Sequence, residues 1–370
     1  MASHDRPRVT AERTDKDLQR EKRKIDEYRS LVERIETRVA EGGSEADVLD
    51  LTSDLLSRNP EYYTVWNHRR RLLLRYLEGG DTSNDASVDP NNKQASPQDY
   101  LLDDLRFLIP LLQQFPKCYW VWNYRLWILE QIERYLPRQQ ADSCWQRELD
   151  LVAKMLARDE RNFHGWAYRR IIVDQLERLA QEAVHGEEGA GQGSRSQEEF
   201  DYTTKMIHSK LSNFSAWHYR SKLIPRILDE QEADDTARRK VLDDELDLIQ
   251  NALIDPNDQS LWFYHQSLMY TIAPDCPRDS AIVLTLTNTD RVHYYEQEIS
   301  RIREILEDWD DCKWVYQALL KYAAEYQTLD AGSKVYSNTD MRTWLSKLRQ
   351  LDPLRSGRWD DLEKHLDLST

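Results

Sequence analysis

Residues 120–130 read WVWNYRLWILE, and the same grammar recurs along the chain. TVWNHRRRLLL surrounds Trp66, HGWAYRRIIVD Trp166, SAWHYRSKLIP Trp217 and SLWFYHQSLMY Trp262, with a degenerate copy, KWVYQALLKYA, at Trp314. Counting from each Trp, position +2 is Tyr124, Tyr168, Tyr219, Tyr264 and Tyr316, with His68 in the first copy. Position +3 is Arg69, Arg125, Arg169 and Arg220, then His265 and Gln317; position +6 is always Leu or Ile. On a helix, positions +2 and +6 lie roughly opposite the Trp, so each segment is apolar on two sides. That pattern suits a helix sandwiched between neighbours in a stack of repeats. Successive Trp residues stand 44 to 56 apart, a period of helical-hairpin repeats with extra length in loops.

A second helical pattern precedes each Trp segment. VLDLTSDLLSRNP, DDLRFLIPLLQQFP, RELDLVAKMLARD and DDELDLIQNALIDP carry apolar residues at three- and four-residue steps. Asn59-Pro60, Phe115-Pro116 and Asp255-Pro256 close three of these helices and open a turn. The predicted fold is therefore all-α: antiparallel hairpins stacked into a right-handed α-α superhelix, by analogy with other solenoids. One solenoid is expected over residues 26–370, led by a helix at Asp26–Ala40 and closed by a helical pair at 340–368 carrying Trp344 and Trp359. Residues 1–25 read as a charged, flexible arm, and the polar stretches 79–99 and 184–198 as surface loops.

Composition agrees. The 370 residues hold only 11 Gly and 12 Pro, against many turns, and 32% are charged. A net charge of −15 argues against wholesale nucleic-acid binding, so an anionic ligand needs a local cationic pocket. The four cysteines form no CxxC pair and the nine histidines no HExxH, so no metal ligands are expected in this chain. The N-terminus lacks an apolar signal core and no apolar run is long enough to span a bilayer; a soluble, cytoplasmic protein is expected.

The repeat elements NPxYxxVWNxRR, PKxYxxWxYR, NFHxWxYRR and DPNDQSxWFYH resemble those of protein prenyltransferase α subunits, in order over about residues 45–325. Asp159–Arg170, Ser212–Pro225 and Asp255–His265 look most like the type II (Rab) geranylgeranyltransferase. The resemblance implies a heterodimer in which a β subunit carries the catalytic zinc and most of the isoprenoid pocket. It implies transfer of geranylgeranyl from geranylgeranyl diphosphate to C-terminal cysteines of Rab GTPases presented by a Rab escort protein.

By the same resemblance, Lys117 in PKCYW stands where the family places a lysine near the diphosphate, with Tyr119 beside it and His164 in NFHGW lining the same cavity. A lysine there would stabilise charge developing on the leaving diphosphate. Trp120 replaces the glutamine with which the farnesyl and type I enzymes hold a CaaX carboxylate, and His4 could fold back over the zinc. The alternatives are the α subunit shared by the farnesyl and type I enzymes, or a non-catalytic scaffold.

Without the resemblance, Lys117 is an exposed turn lysine and the Trp and Tyr residues are core rather than a base-stacking platform. The +3 arginines are expected to pair with acids or helix-end carbonyls of neighbouring hairpins, and His68, His218 and His265 to be packing histidines.

Overall fold

The computed structural model describes residues 14–41, 45–78, 96–184, 193–329 and 335–368. The chain divides into two compact units, Met1–Glu188 and Gly189–Thr370, with the division inside the polar stretch 184–198. The first unit contains α1 (Asp15–Ala40), α2 (Glu45–Arg58), α3 (Tyr63–Leu77), α4 (Pro97–Gln114), α5 (Tyr119–Tyr135), α6 (Arg138–Arg158) and α7 (Phe163–Val184). The second contains α8 (Ser196–Ser209), α9 (Phe214–Glu230), α10 (Asp235–Ala252), α11 (Gln259–Thr271), α12 (Asn288–Asp308), α13 (Lys313–Leu329), α14 (Asn338–Leu351) and α15 (Ser356–His365). No strand occurs among the described residues.

Each Trp segment is the second helix of a hairpin. The pairs α2–α3, α4–α5 and α6–α7 pack together in the first unit, and α8–α9, α10–α11 and α12–α13 in the second. Within each unit the Trp helices also touch one another, α3 with α5, α5 with α7, α9 with α11 and α11 with α13.

In the first five hairpins the buried indole ties the turn to the helix that follows it. Trp66 donates to the Pro60 carbonyl at 2.8 Å, Trp122 to Pro116 at 2.9 Å and Trp166 to Glu160 at 2.8 Å. Trp217 donates to Leu211 and Trp262 to Pro256, both at 2.7 Å. A large apolar ring that also satisfies a turn carbonyl suits a position lying between two hairpins.

The sixth copy corrects the register read from the sequence. Trp314 is only half-buried, whereas the Tyr316 hydroxyl donates to the Asp310 carbonyl six residues back at 2.8 Å. Cys118, four residues before Trp122, sends its thiol to the Pro60 carbonyl; Cys312, four before Tyr316, sends its own to Pro256. Tyr316 thus holds the Trp place, and CYWVWN at 118–123 aligns with CKWVYQ at 312–317. The half-buried Trp314 two residues upstream masks this substitution in the sequence.

Three of the repeated arginines, Arg69, Arg125 and Arg220, pair with acids as expected from the sequence. Arg69 on α3 grips Asp104 on α4, which also accepts the Tyr124 hydroxyl of α5 at 2.5 Å. Arg125 on α5 grips Glu148 on α6, joined by Tyr168 of α7; Arg220 on α9 grips Glu245 on α10, joined by Tyr264 of α11. Each carboxylate thus joins the +3 cation of one hairpin to the +2 hydroxyl of the next. Burying an ion pair is tolerable because hydrogen bonds satisfy both partners. At the fifth copy His265 replaces the arginine, its Nε2 lying 2.7 Å from Glu298 and its Nδ1 2.7 Å from the Tyr322 hydroxyl.

The N-terminal boundary also differs from the sequence reading. Asp15 to Ile25 belong to α1, not to a flexible arm. The Thr14 hydroxyl and the Asp17 carboxylate close a capping box on its first turn, and its Lys, Arg and Glu residues favour helix without an apolar face. Burial starts only at Leu31 and Ile35, so hydrophobic periodicity gave no earlier signal. His4 and the loop residues 79–95 and 185–192 lie outside the described residues, whereas 97–99 and 196–198 begin α4 and α8, with Ser96 as the cap of α4. At the other end α14 and α15 form the expected pair, with Trp344 and Trp359 buried.

Candidate functional site

The α4–α5 turn runs from Phe115 to Cys118 and carries Lys117 exposed at its tip. Burial of the Cys118 thiol, 4% exposed, seats this turn on the preceding hairpin. Burial is the first cause that pushes the thiol's pKa up to about 11, so it is a packing group rather than a nucleophile. Tyr119 opens α5 and is 52% exposed, with no side-chain cap bond from Cys118 covering the helix start.

The α6–α7 turn, Asp159–Asn162, brings His164 alongside as the second residue of α7. The ring centres of Tyr119 and His164 are 6.1 Å apart, and Phe163 lies 3.9 Å from His164. Lys117 Nζ stands 3.5 Å from Asp159 Oδ2, both partly open to solvent. Lys117, Tyr119 and His164 therefore meet at two adjacent turns of the first unit.

The start of α3 completes this edge. Tyr63 stacks on Trp120 at 5.6 Å, and Trp120 meets Tyr119 edge-on at 5.2 Å. Tyr63, Tyr119 and Phe163 are all more than half exposed, so the N-terminal ends of three Trp helices present an aromatic border beside one lysine. Helix N-termini carry partial positive charge, which adds to the Lys117 charge in favour of an anion.

His164 is half-buried, and that burial is the main cause holding its pKa below the usual value. Its hydrogen bond to the Lys117 backbone and the nearby Glu61 carboxylate work in the opposite direction. With its pKa lowered the imidazole is uncharged at neutral pH, so it places no second positive charge beside Lys117.

Asp159, Asn162, Tyr63 and Glu61 join this site without having been singled out from the sequence. The signal for Asn162 was its place four residues before a Trp, where Asn213 and Asp258 cap the starts of later Trp helices. Tyr63 and Glu61 come from another hairpin, and only stacking brings them near. Among the described residues, no group of three or more His, Cys, Asp or Glu is arranged to hold a metal ion.

The protein prenyltransferase alpha subunit repeat family matches residues 46–76, 101–132, 145–176 and 196–227, the hairpins around the first four Trp residues. The chain is 35% identical to the geranylgeranyl transferase type-2 subunit alpha of Schizosaccharomyces pombe, over 98% of this chain and 97% of the relative. The chain belongs to the family of type-2 geranylgeranyl transferase α subunits. The corresponding subunit of Saccharomyces cerevisiae is 34% identical over 67% of this chain and 68% of its own length. That of Rattus norvegicus is 36% identical over 70% of this chain but only 40% of the longer rat protein.

The fold likewise resembles a chain of Candida albicans protein geranylgeranyltransferase-I complexed with GGPP, with a TM-score of 0.59 at 20% identity. That likeness covers 97% of this chain and 94% of the other and establishes the all-α repeat architecture. Family membership makes the chain a subunit of a prenyltransferase, which removes the scaffold alternative, and an α subunit implies a partner chain. These relatives carry the type-2 name rather than that of the α subunit shared by the farnesyl and type I enzymes. No described helix is long and apolar enough to cross a membrane.

Proposed function

We propose that this chain, assembled with a β subunit, transfers the geranylgeranyl group of geranylgeranyl diphosphate to C-terminal cysteines of Rab GTPases presented by a Rab escort protein. The isoprenoid C1 gains a bond to the cysteine sulfur, the C1–O bond breaks, the thiol loses its proton and diphosphate leaves. The zinc that favours the thiolate is assigned to the β subunit.

This chain acts on the leaving group. The observation that carries the reading is the convergence of Lys117, Tyr119 and His164 at two adjacent helix starts. Lys117 swings from Asp159 to the diphosphate, whose several negative charges attract an ammonium more strongly than one half-exposed carboxylate does. Its charge matters most as the C1–O bond breaks and negative charge gathers on the departing oxygen. The exposed Tyr119 hydroxyl donates to the same oxygens, and His164, 6.1 Å from the Tyr119 ring, lines the same edge. Trp120, stacked on Tyr63, offers no amide for a CaaX carboxylate, in keeping with recognition through an escort protein.

The test is co-expression with a type II β subunit and transfer of labelled geranylgeranyl to Rab, with and without escort protein. Escort-dependent transfer by the dimer, absent from either subunit alone, is the expected result. Modification of free CaaX peptides, or failure to assemble with any β subunit, overturns the reading.

A further inference from the structure

We infer that Asn162 is a positioning residue for the diphosphate site, its buried side-chain amide locking the turn that carries Lys117 to the helix that carries His164. The inference rests on the reading of Lys117 given above.

Asn162 is 3% exposed, and both ends of its amide are engaged. Nδ2 donates to the Pro116 carbonyl at 2.9 Å, one residue before Lys117. Oδ1 accepts from the backbone of His164 at 3.0 Å and of Gly165 at 3.2 Å, capping the first turn of α7. Its own backbone N–H donates to the carbonyl of Asp159, the ion-pair partner of Lys117, at 3.1 Å. One side chain therefore spans the two hairpins that supply Lys117, Tyr119 and His164. The close approach at Gly165 supports the same joint: a Cβ there would meet Leu156 at 3.0 Å, so α7 starts flush against α6.

Other hairpins show what is particular to Asn162. At the same position, four residues before the Trp or its Tyr316 replacement, Cys118 reaches the Pro60 carbonyl at 3.5 Å and Cys312 reaches Pro256 at 3.2 Å. The tether to the preceding turn thus recurs, but through a thiol, a weak donor. Cys118 also leaves the start of its helix without a side-chain cap. Asn162 supplies both a carboxamide donor to the turn that holds Lys117 and a cap to the helix that holds His164. Small misplacements of a catalytic group are costly, up to roughly 100-fold for about 1 Å.

The experiment is a double-mutant cycle in the assembled heterodimer. Asn162→Ser keeps a capping oxygen but is too short to reach Pro116. It is combined with Lys117→Ala, and kcat/KM and KM for geranylgeranyl diphosphate are measured beside the melting temperature. Asn162→Ser is expected to lower kcat/KM by roughly three- to tenfold when Lys117 is present. It should lower it less than about twofold when Lys117 is already alanine, because the amide acts through the lysine. Asn162→Cys, which copies the thiol tether of the Cys118 and Cys312 hairpins, should retain more activity than the serine variant and gives the same comparison if the serine variant does not fold. An equal loss in both lysine backgrounds overturns the inference while leaving the diphosphate site intact. Normal turnover of Lys117→Ala alone instead removes the site reading, and the inference with it.

Discussion

Arg125 holds the Glu148 carboxylate through bonds of 2.7 and 2.6 Å, and the Tyr168 hydroxyl of the next hairpin donates to the same carboxylate at 2.8 Å. Both charged side chains are only 4% exposed. Removing Arg125 alone leaves a buried carboxylate with one hydroxyl donor, so Arg125→Ala should destabilise the fold by about 3–5 kcal/mol. Replacing the pair together, Arg125→Met with Glu148→Leu, should cost far less, since two apolar side chains of similar size leave no buried charge. Urea unfolding of the purified protein compares the two variants. A double variant as unstable as the single one would mean that geometry, not charge compensation, holds the hairpins together.

Lys117 makes the opposite prediction. Its side chain is half exposed and its ion pair with Asp159 is long, at 3.5 Å, so it contributes little to stability. Lys117→Ala should leave the melting temperature and heterodimer assembly unchanged while lowering transfer by about 100-fold, the loss expected on removing one group that stabilises transition-state charge. Lys117→Arg should recover part of the rate because the charge remains. Full activity of the alanine variant in an intact dimer removes Lys117 from the chemistry.

Five hairpins and their joints were legible in the sequence because their key residues do two things at once. Trp122 fills the space between helices and satisfies the Pro116 carbonyl; Arg125 fills space and neutralises Glu148. Such residues cannot drift in position, so they recur at fixed offsets. The sixth copy broke the pattern where another side chain could perform the same act: the Tyr316 hydroxyl reaches the same kind of carbonyl as an indole, and Trp314 nearby invited the wrong alignment. The start of α1 was hidden because a capping box and charged residues stabilise helix without burying anything. At the candidate site, Lys117, Tyr119 and His164 came from a family resemblance, and they meet because all three lie just before the repeat Trp of consecutive hairpins. Asp159 and Asn162 escaped notice because their partners lie on another turn, 42 and 46 residues away.

The altered sixth copy explains why the fifth carries His265. At the +6 place of α13, Tyr322 replaces the usual aliphatic residue, and Ala318 stands where other hairpins put the +2 tyrosine. The Tyr322 hydroxyl instead reaches His265, which fills a fully buried gap among Gln250, Glu298 and Tyr322. His265→Arg restores the residue seen in the first four copies, yet it should destabilise the protein by about 1–3 kcal/mol, because the longer side chain overpacks a closed space. Adding Tyr322→Leu should return part of the loss by reopening that space. Thermal unfolding of the three proteins decides the point, and an arginine variant as stable as the parent would show that the gap is not closed.

The last prediction concerns pH. Burial holds the His164 pKa below its ordinary value near 6.5, although the Lys117 carbonyl and Glu61 oppose the shift. The unfolded chain therefore takes up a proton at this position at higher pH than the folded protein does. Between the two values the unfolded state binds more protons, so this residue's contribution to stability is full above about pH 6.5 and is lost as pH falls through the lower, folded value. In the heterodimer carrying ring-labelled histidine, the His164 resonance should titrate below pH 6.5, and a His164→Asn variant identifies the signal. Binding of geranylgeranyl diphosphate, or of inorganic diphosphate as a simpler probe, places negative charge near the ring and should move the midpoint upward. A midpoint that stays put while diphosphate inhibits transfer would place the anion away from His164.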